Sequence, residues 1–125
     1  MGVTRIHYAR GRRELELTFT DNAEAVLSAE FLRVHSPSAE VRGHGAGQET
    51  LQVGKLNVTI ESIQPVGHYA IQLVFDDGHD SGIYTWAYLY ELAQNRTALW
   101  QRYLVALKTA GASRDPHEQV LHFQP

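Results

Sequence analysis

The residues best suited to chemistry fall in two polar stretches. One is Leu32–Gly45, LRVHSPSAEVRGHG, and the other is Phe75–Trp86, FDDGHDSGIYTW. The second concentrates Asp76, Asp77, His79 and Asp80. Carboxylates beside an imidazole can bind a hard or borderline metal, or exchange protons. A metal-binding reading makes His79 a ligand, with zinc or iron as the candidates. It needs further donors from His35, His44 or His68. An acid–base reading pairs His79 with Asp77 or Asp80 in a small enzyme. Against both, Asp-Asp-Gly is ordinary turn sequence. Ser36 and Ser38 stand near His35 and His44, but closeness in sequence does not make a triad. No Gly-x-Ser-x-Gly elbow and no His-Glu-x-x-His pair occurs. Gly43-His44-Gly45-Ala46-Gly47 is followed by a strand-like segment, whereas a phosphate loop opens a helix. Gly54-Lys55 lacks the upstream glycine of a P-loop and is followed by Leu56.

These stretches must be positioned by regular elements. Leu15, Leu17 and Phe19 alternate with polar residues, so Glu14–Thr20 reads as a half-buried strand. An earlier strand at about Val3–Tyr8 pairs with it through Ala9–Arg13. Asp21 and Glu24 resemble a capping box and predict a short helix at about Ala23–Glu30. Leu32–Val34 then returns to extended structure, and His35–Gln48 is a loop by turn chemistry. A hairpin is predicted from Leu56–Gln64 and Tyr69–Phe75, turning at Pro65–His68. Asp76–Gly82 is the second loop, and Ile83–Trp86 a short strand leading into a helix. Asn95 caps a longer helix at Arg96–Ala110, whose stripe is Trp100, Tyr103, Leu104 and Leu107, with Gly111 as its C′ residue. Ser113–Pro125 has no periodicity and reads as a tail.

With 125 residues, 43% hydrophobic and 20% charged, the chain suits one folded domain. The formal net charge of -3 argues against a nucleic-acid footprint. Arg10, Arg12 and Arg13 read as a solvated turn. The absence of cysteine excludes thiolate ligands and disulfides within these residues. No secretory h-region or membrane-length apolar run is visible, so the expectation is a soluble cytoplasmic protein without membrane partners. Aromatic residues crowd the C-terminal third, where core and helix packing account for Trp100 and Tyr103.

LRVHSPSAEVRGHG, IQPVGHYAIQLVFDDGHDSGIYTW and the following YLYEL resemble the gamma-butyrobetaine hydroxylase-like N-terminal domain family, over roughly Leu15 to Leu92. The family's short bacterial members stand alone. The same domain precedes the oxygenase domain of gamma-butyrobetaine and trimethyllysine hydroxylases, and is joined elsewhere to iron–sulfur assembly ATPases. In the eukaryotic hydroxylases the similar domain holds zinc through three cysteines and one histidine. The matching positions here are Ser36, Ser38, Val41 and His79. One ligand of four survives, so the family-type three-cysteine zinc site cannot form. The oxygenase domain is not among these residues, so hydroxylase activity does not follow from the resemblance.

The resulting expectation is a single α+β domain at residues 1–112, with an antiparallel, hairpin-rich sheet, a C-terminal helix and a flexible tail at 113–125. Its function reads as a non-enzymatic binding or accessory module for a protein partner, linked through the resemblance to iron or iron–sulfur metabolism. Arg33, His35, His44, Asp77 and Asp80 are the candidate binding residues. His79 is the candidate metal ligand, and no catalytic residue is assigned. A remodelled metal site and a small acid–base enzyme are the alternatives. All of these expectations require the two loops to meet.

Overall fold

The structure is a computed structural model that describes residues 1–45 and 47–118. Two three-stranded antiparallel sheets form an α+β domain with helices at its C-terminal side. The first sheet contains β1 (Val3–Ala9), β2 (Glu14–Phe19) and β3 (Glu24–Ser28) in that order. Two short helices follow, α1 (Ala29–Val34) and α2 (Ala39–Arg42). The second sheet contains β4 (Ile60–Val66), β5 (Ala70–Phe75) and β6 (Gly82–Thr85), again in chain order. Helices α3 (Trp86–Gln94) and α4 (Arg96–Ala110) complete the domain.

The period-two pattern places Leu15, Leu17 and Phe19 inside, and Ile71, Leu73 and Phe75 do the same in β5. These six join Leu27, Phe31, Leu32, Ile60, Tyr84 and Leu89 in one core. Both sheets therefore turn an apolar face to the same interior, and α1 and α3 close it. Helix α4 buries Tyr103 and Leu107, and Gly111 ends it in the left-handed conformation, as its stripe predicts.

Several boundaries differ from the sequence expectation. Glu24–Ser28 is a strand, not a helix, and pairs with β2 from Glu14↔Ser28 to Thr18↔Glu24. The free edge of β2 offers that segment a full ladder of backbone partners, which outweighs its weak helical pattern. Asp21 does not cap a helix. Its Oδ1 accepts the Ala23 N–H at 2.9 Å in a turn, and Asn22 takes a positive φ of 69° there. The helix N-cap is Ser28, whose Oγ accepts the Phe31 N–H at 3.0 Å. Leu32–Val34 is thus helical rather than extended. Leu56–Thr59 is not strand, because the Val58 N–H closes a turn onto the Lys55 carbonyl at 3.1 Å. The hairpin turn lies at Gly67–Tyr69, one step later than expected, and leaves Tyr69 57% exposed. Asn95 sits between α3 and α4, but its side chain donates back to the Glu91 carbonyl, at the C-terminal end of α3, and does not cap α4.

The N-terminal arginines do more than line a turn. Arg10 donates to the carbonyls of Ile60 and Glu61, both at 3.2 Å, and so ties the β1–β2 turn to β4. Part of the expected tail is also anchored. The guanidinium of Arg114 makes two bonds to the Glu30 carboxylate, at 2.7 and 2.6 Å. Residues 119–125 of that tail lie outside the described residues. Among the described residues no helix is long and apolar enough to cross a membrane.

Candidate functional site

The two polar loops meet. Ser36, just after α1, and His79, between β5 and β6, are 43 residues apart in sequence, and Ser36 Oγ lies 2.8 Å from His79 Nε2. Ser36 is 0% exposed and His79 5% exposed. The other ring nitrogen of His79, Nδ1, faces Glu40 Oε2 at 3.3 Å. A carboxylate can only accept, so Glu40 favours the tautomer with the proton on Nδ1, in which Nε2 accepts from the Ser36 hydroxyl. Ser36 Oγ in turn accepts the Ser38 N–H at 3.2 Å. The hydroxyls of Ser38 and Ser81 lie 2.8 Å apart and make a second bridge between the loops.

A charged contact adjoins this pair. The buried Arg33 guanidinium donates from Nε to Asp77 Oδ2 at 2.8 Å and from Nη1 to Gln52 Oε1 at 3.0 Å. Lys55 Nζ reaches the same Asp77 oxygen at 2.6 Å. Asp77 Oδ1 accepts the His79 N–H at 3.2 Å, which holds the DDGHD turn in shape. Three segments therefore converge on Asp77. Burial opposes charge on that carboxyl, but the bonds from Lys55, the His79 amide and Arg33 outweigh it and leave its pKa below the usual value. For His79, burial is the largest influence and lowers the pKa. Nearby Arg33 adds to that, while Glu40 and Asp77 oppose it. The neutral imidazole is the form this site favours.

Close packing makes a glycine necessary in β6. A Cβ on Gly82 would sit 2.6 Å from Ser36 Oγ and 3.0 Å from Tyr84 Cε1. Tyr84 is itself buried and donates to the Leu32 carbonyl at 2.5 Å, so neither neighbour has room to move.

Of the residues singled out from sequence, Arg33, Asp77 and His79 come together. His35, His44 and Asp80 do not join them. His35 turns the other way, with Nδ1 on the Phe31 carbonyl at 2.9 Å and its ring packed on Phe31 and near Tyr103. His44 and Asp80 are exposed. Asp80 contributes its backbone carbonyl to Gln72 Nε2 at 2.6 Å. Glu40, Lys55, Ser81 and Gly82 carry roles that sequence alone did not assign. Ser36 and Ser38 stand out in the sequence beside His35 and His44, and at the cysteine positions of the resembled family, but neither signal pairs them with His79 and Ser81 by hydrogen bonds.

The order Ser36, His79, Glu40 is that of a nucleophilic triad, but the serine is sealed from solvent and already accepts an amide. No acyl group can reach it in this conformation. A zinc ion does not fit either. Ser36 and Ser38 offer hydroxyls and Val41 no donor at all, while both His79 nitrogens are engaged. Among the described residues, no group of three or more His, Asp or Glu is gathered that could hold a metal ion.

Two small antiparallel sheets backed by C-terminal helices, joined by two interlocked signature loops, define the class of domain. The gamma-butyrobetaine hydroxylase-like N-terminal family model matches residues 6–90, and the chain belongs to that family. Two proteins with NMR solution structures are similar throughout. One is 49% identical with a TM-score of 0.81, covering 99% of this chain and 98% of that one. The other is 47% identical with a TM-score of 0.80, covering 99% of this chain and 93% of that one. A crystal structure of a DUF971-family protein of unknown function from Acidithiobacillus ferrooxidans ATCC 23270 is 36% identical. Its TM-score is 0.62, and the match covers 73% of this chain and 91% of that one. No curated protein matches the sequence.

Proposed function

We propose that this chain is a non-catalytic binding module that docks a protein partner through the surface formed by its two joined loops. The observation that supports it most is the buried Ser36–His79 contact, which commits the groups best suited to chemistry to holding the loops together. What faces outward is a fixed polar surface: Glu40, His44, Asp76 and Asp80 are all exposed. A surface held in one shape binds with less loss of conformational freedom than a mobile one. The family resemblance points to an iron–sulfur assembly ATPase as the partner, since similar domains are joined to such enzymes in one chain.

The test titrates a purified iron–sulfur assembly ATPase of the same organism against the chain by calorimetry. Asp80→Lys and His44→Glu are the variants of choice, because neither side chain makes a hydrogen bond among the described residues. The expected result is saturable binding, weakened roughly tenfold by the double variant as surface charge complementarity is lost. Absence of wild-type binding rejects that partner. Binding unchanged in the double variant rejects this surface.

A further inference from the structure

A second feature lies on another face. Helices α3 and α4 line, with α1, α2 and the strand-less stretch at Thr50–Gln52, an open cavity of about 630 Å³. That volume is in the range of small-molecule sites. Asp77, His79 and Asp80 do not line it. Its lining is mixed: Val34, Leu92 and Leu99 are apolar, and the charged groups are Arg42 and Arg102 with Glu49 and Glu91, beside His35.

The polar groups are unevenly engaged. Tyr88 and Tyr103 have spent their hydroxyl protons on the carbonyls of His35 and Gln52, at 2.6 and 2.7 Å. Arg42 donates once, to Tyr88 Oη at 3.1 Å, and lies over that ring. Arg102 makes no hydrogen bond, and neither arginine pairs with a carboxylate, among the described residues. Two cations therefore stand at the cavity with donors to spare, although Glu49 and Glu91 share its lining. The formal charges on the lining cancel, two arginines against two glutamates, but the fields that act on His35 are those of the arginines. Burial lowers the pKa of its imidazole most, and the fields of Arg42 and Arg102 lower it further. Because His35 Nδ1 donates to the Phe31 carbonyl, Nε2 is an acceptor. No buried side-chain polar atom among the described residues lacks a partner, so this unbonded nitrogen is not fully buried.

We propose that this cavity binds a small organic carboxylate with an aromatic or apolar body and a hydroxyl group. Arg42 and Arg102 take the carboxylate, the apolar lining residues take the body, and His35 Nε2 accepts from the hydroxyl. Planar guanidinium donors match a carboxylate in geometry as well as charge.

The test is an NMR titration of the full chain with 4-hydroxyphenylacetate. Tyramine, with an ammonium in place of the carboxylate, and phenylacetate, without the hydroxyl, are the comparisons. The expected result is shift changes at His35, Tyr88 and Tyr103, with tyramine binding at least roughly tenfold more weakly. Arg102→Glu, at an exposed position, should weaken 4-hydroxyphenylacetate by a similar factor and keep the spectrum folded. Asp80→Lys, on the loop surface, should leave it unchanged, which separates this site from the proposed protein interface. Phenylacetate should bind more weakly than its hydroxylated analogue. Absence of binding, equal binding of tyramine or of phenylacetate, or indifference to Arg102→Glu overturns the proposal.

Discussion

Replacing Ser36 and His79 singly and together measures what the loop junction contributes. Ser36→Ala removes the hydroxyl at 2.8 Å from His79 Nε2 and the acceptor of the Ser38 N–H. A buried polar group left unpaired costs about 1–3 kcal/mol, so this change should cost about 2 kcal/mol. His79→Ala deletes a buried ring that lies 6.1 Å, centroid to centroid, from Phe75, and adds a cavity. It should cost about 3 kcal/mol. Both losses include the same hydrogen bond, so the double variant should fall short of their sum by about 1 kcal/mol. For a chain of this size each kcal/mol moves the melting temperature by about 4 °C. Urea unfolding of the four proteins supplies the cycle. A coupling below about 0.3 kcal/mol would mean the two side chains act independently and refute the junction.

Three further outcomes follow from the same geometry. Folded His35 and His79 hold a proton less readily than in the unfolded chain, burial being the main cause in each. The unfolded state therefore takes up more protons as the solution is acidified. Stability should be full above the ordinary histidine value of about 6.5 and fall as pH drops toward the lowered folded values. Melting temperatures across that window should decline in the wild type and flatten in the His35→Gln, His79→Gln double variant. Gly82→Ala should cost about 1–3 kcal/mol in urea unfolding, because its Cβ would press on Ser36 and Tyr84; a neutral result would show that β6 can shift. A chelator should leave the melting temperature unchanged, since side-chain hydrogen bonds and not a metal join the loops, and a marked drop would contradict that assignment.

Strand β2 and helix α4 were legible because their burial follows one simple period. Leu15, Leu17 and Phe19 all face inward, and the α4 stripe buries Tyr103 and Leu107. Residues 23–34 were not. Local pattern suggested a helix from Ala23, but the open edge of β2 captured Glu24–Ser28, and helix formation waited for Ser28 to cap it. Long-range pairing decided the matter, and a local period carries no signal of it. Leu56–Thr59 alternates like a strand, yet the turn at Lys55–Val58 brings Lys55 to Asp77. The candidate site was legible in part for the same reason. His79 and Asp77 stood out by type and clustering, whereas Glu40, Ser81 and Lys55 are common surface residues until the fold places them. His35, equally conspicuous in sequence, belongs to another cavity, because α1 directs it away from His79.

Hydrogen exchange on the chain with and without the proposed partner, a purified iron–sulfur assembly ATPase, tests the central claim most directly. If the joined loops are the docking surface, amides in the segments at 38–45 and 76–81 should exchange more slowly in the complex than in the free chain. Protection confined to other parts of the domain, with both loops unchanged, would contradict it.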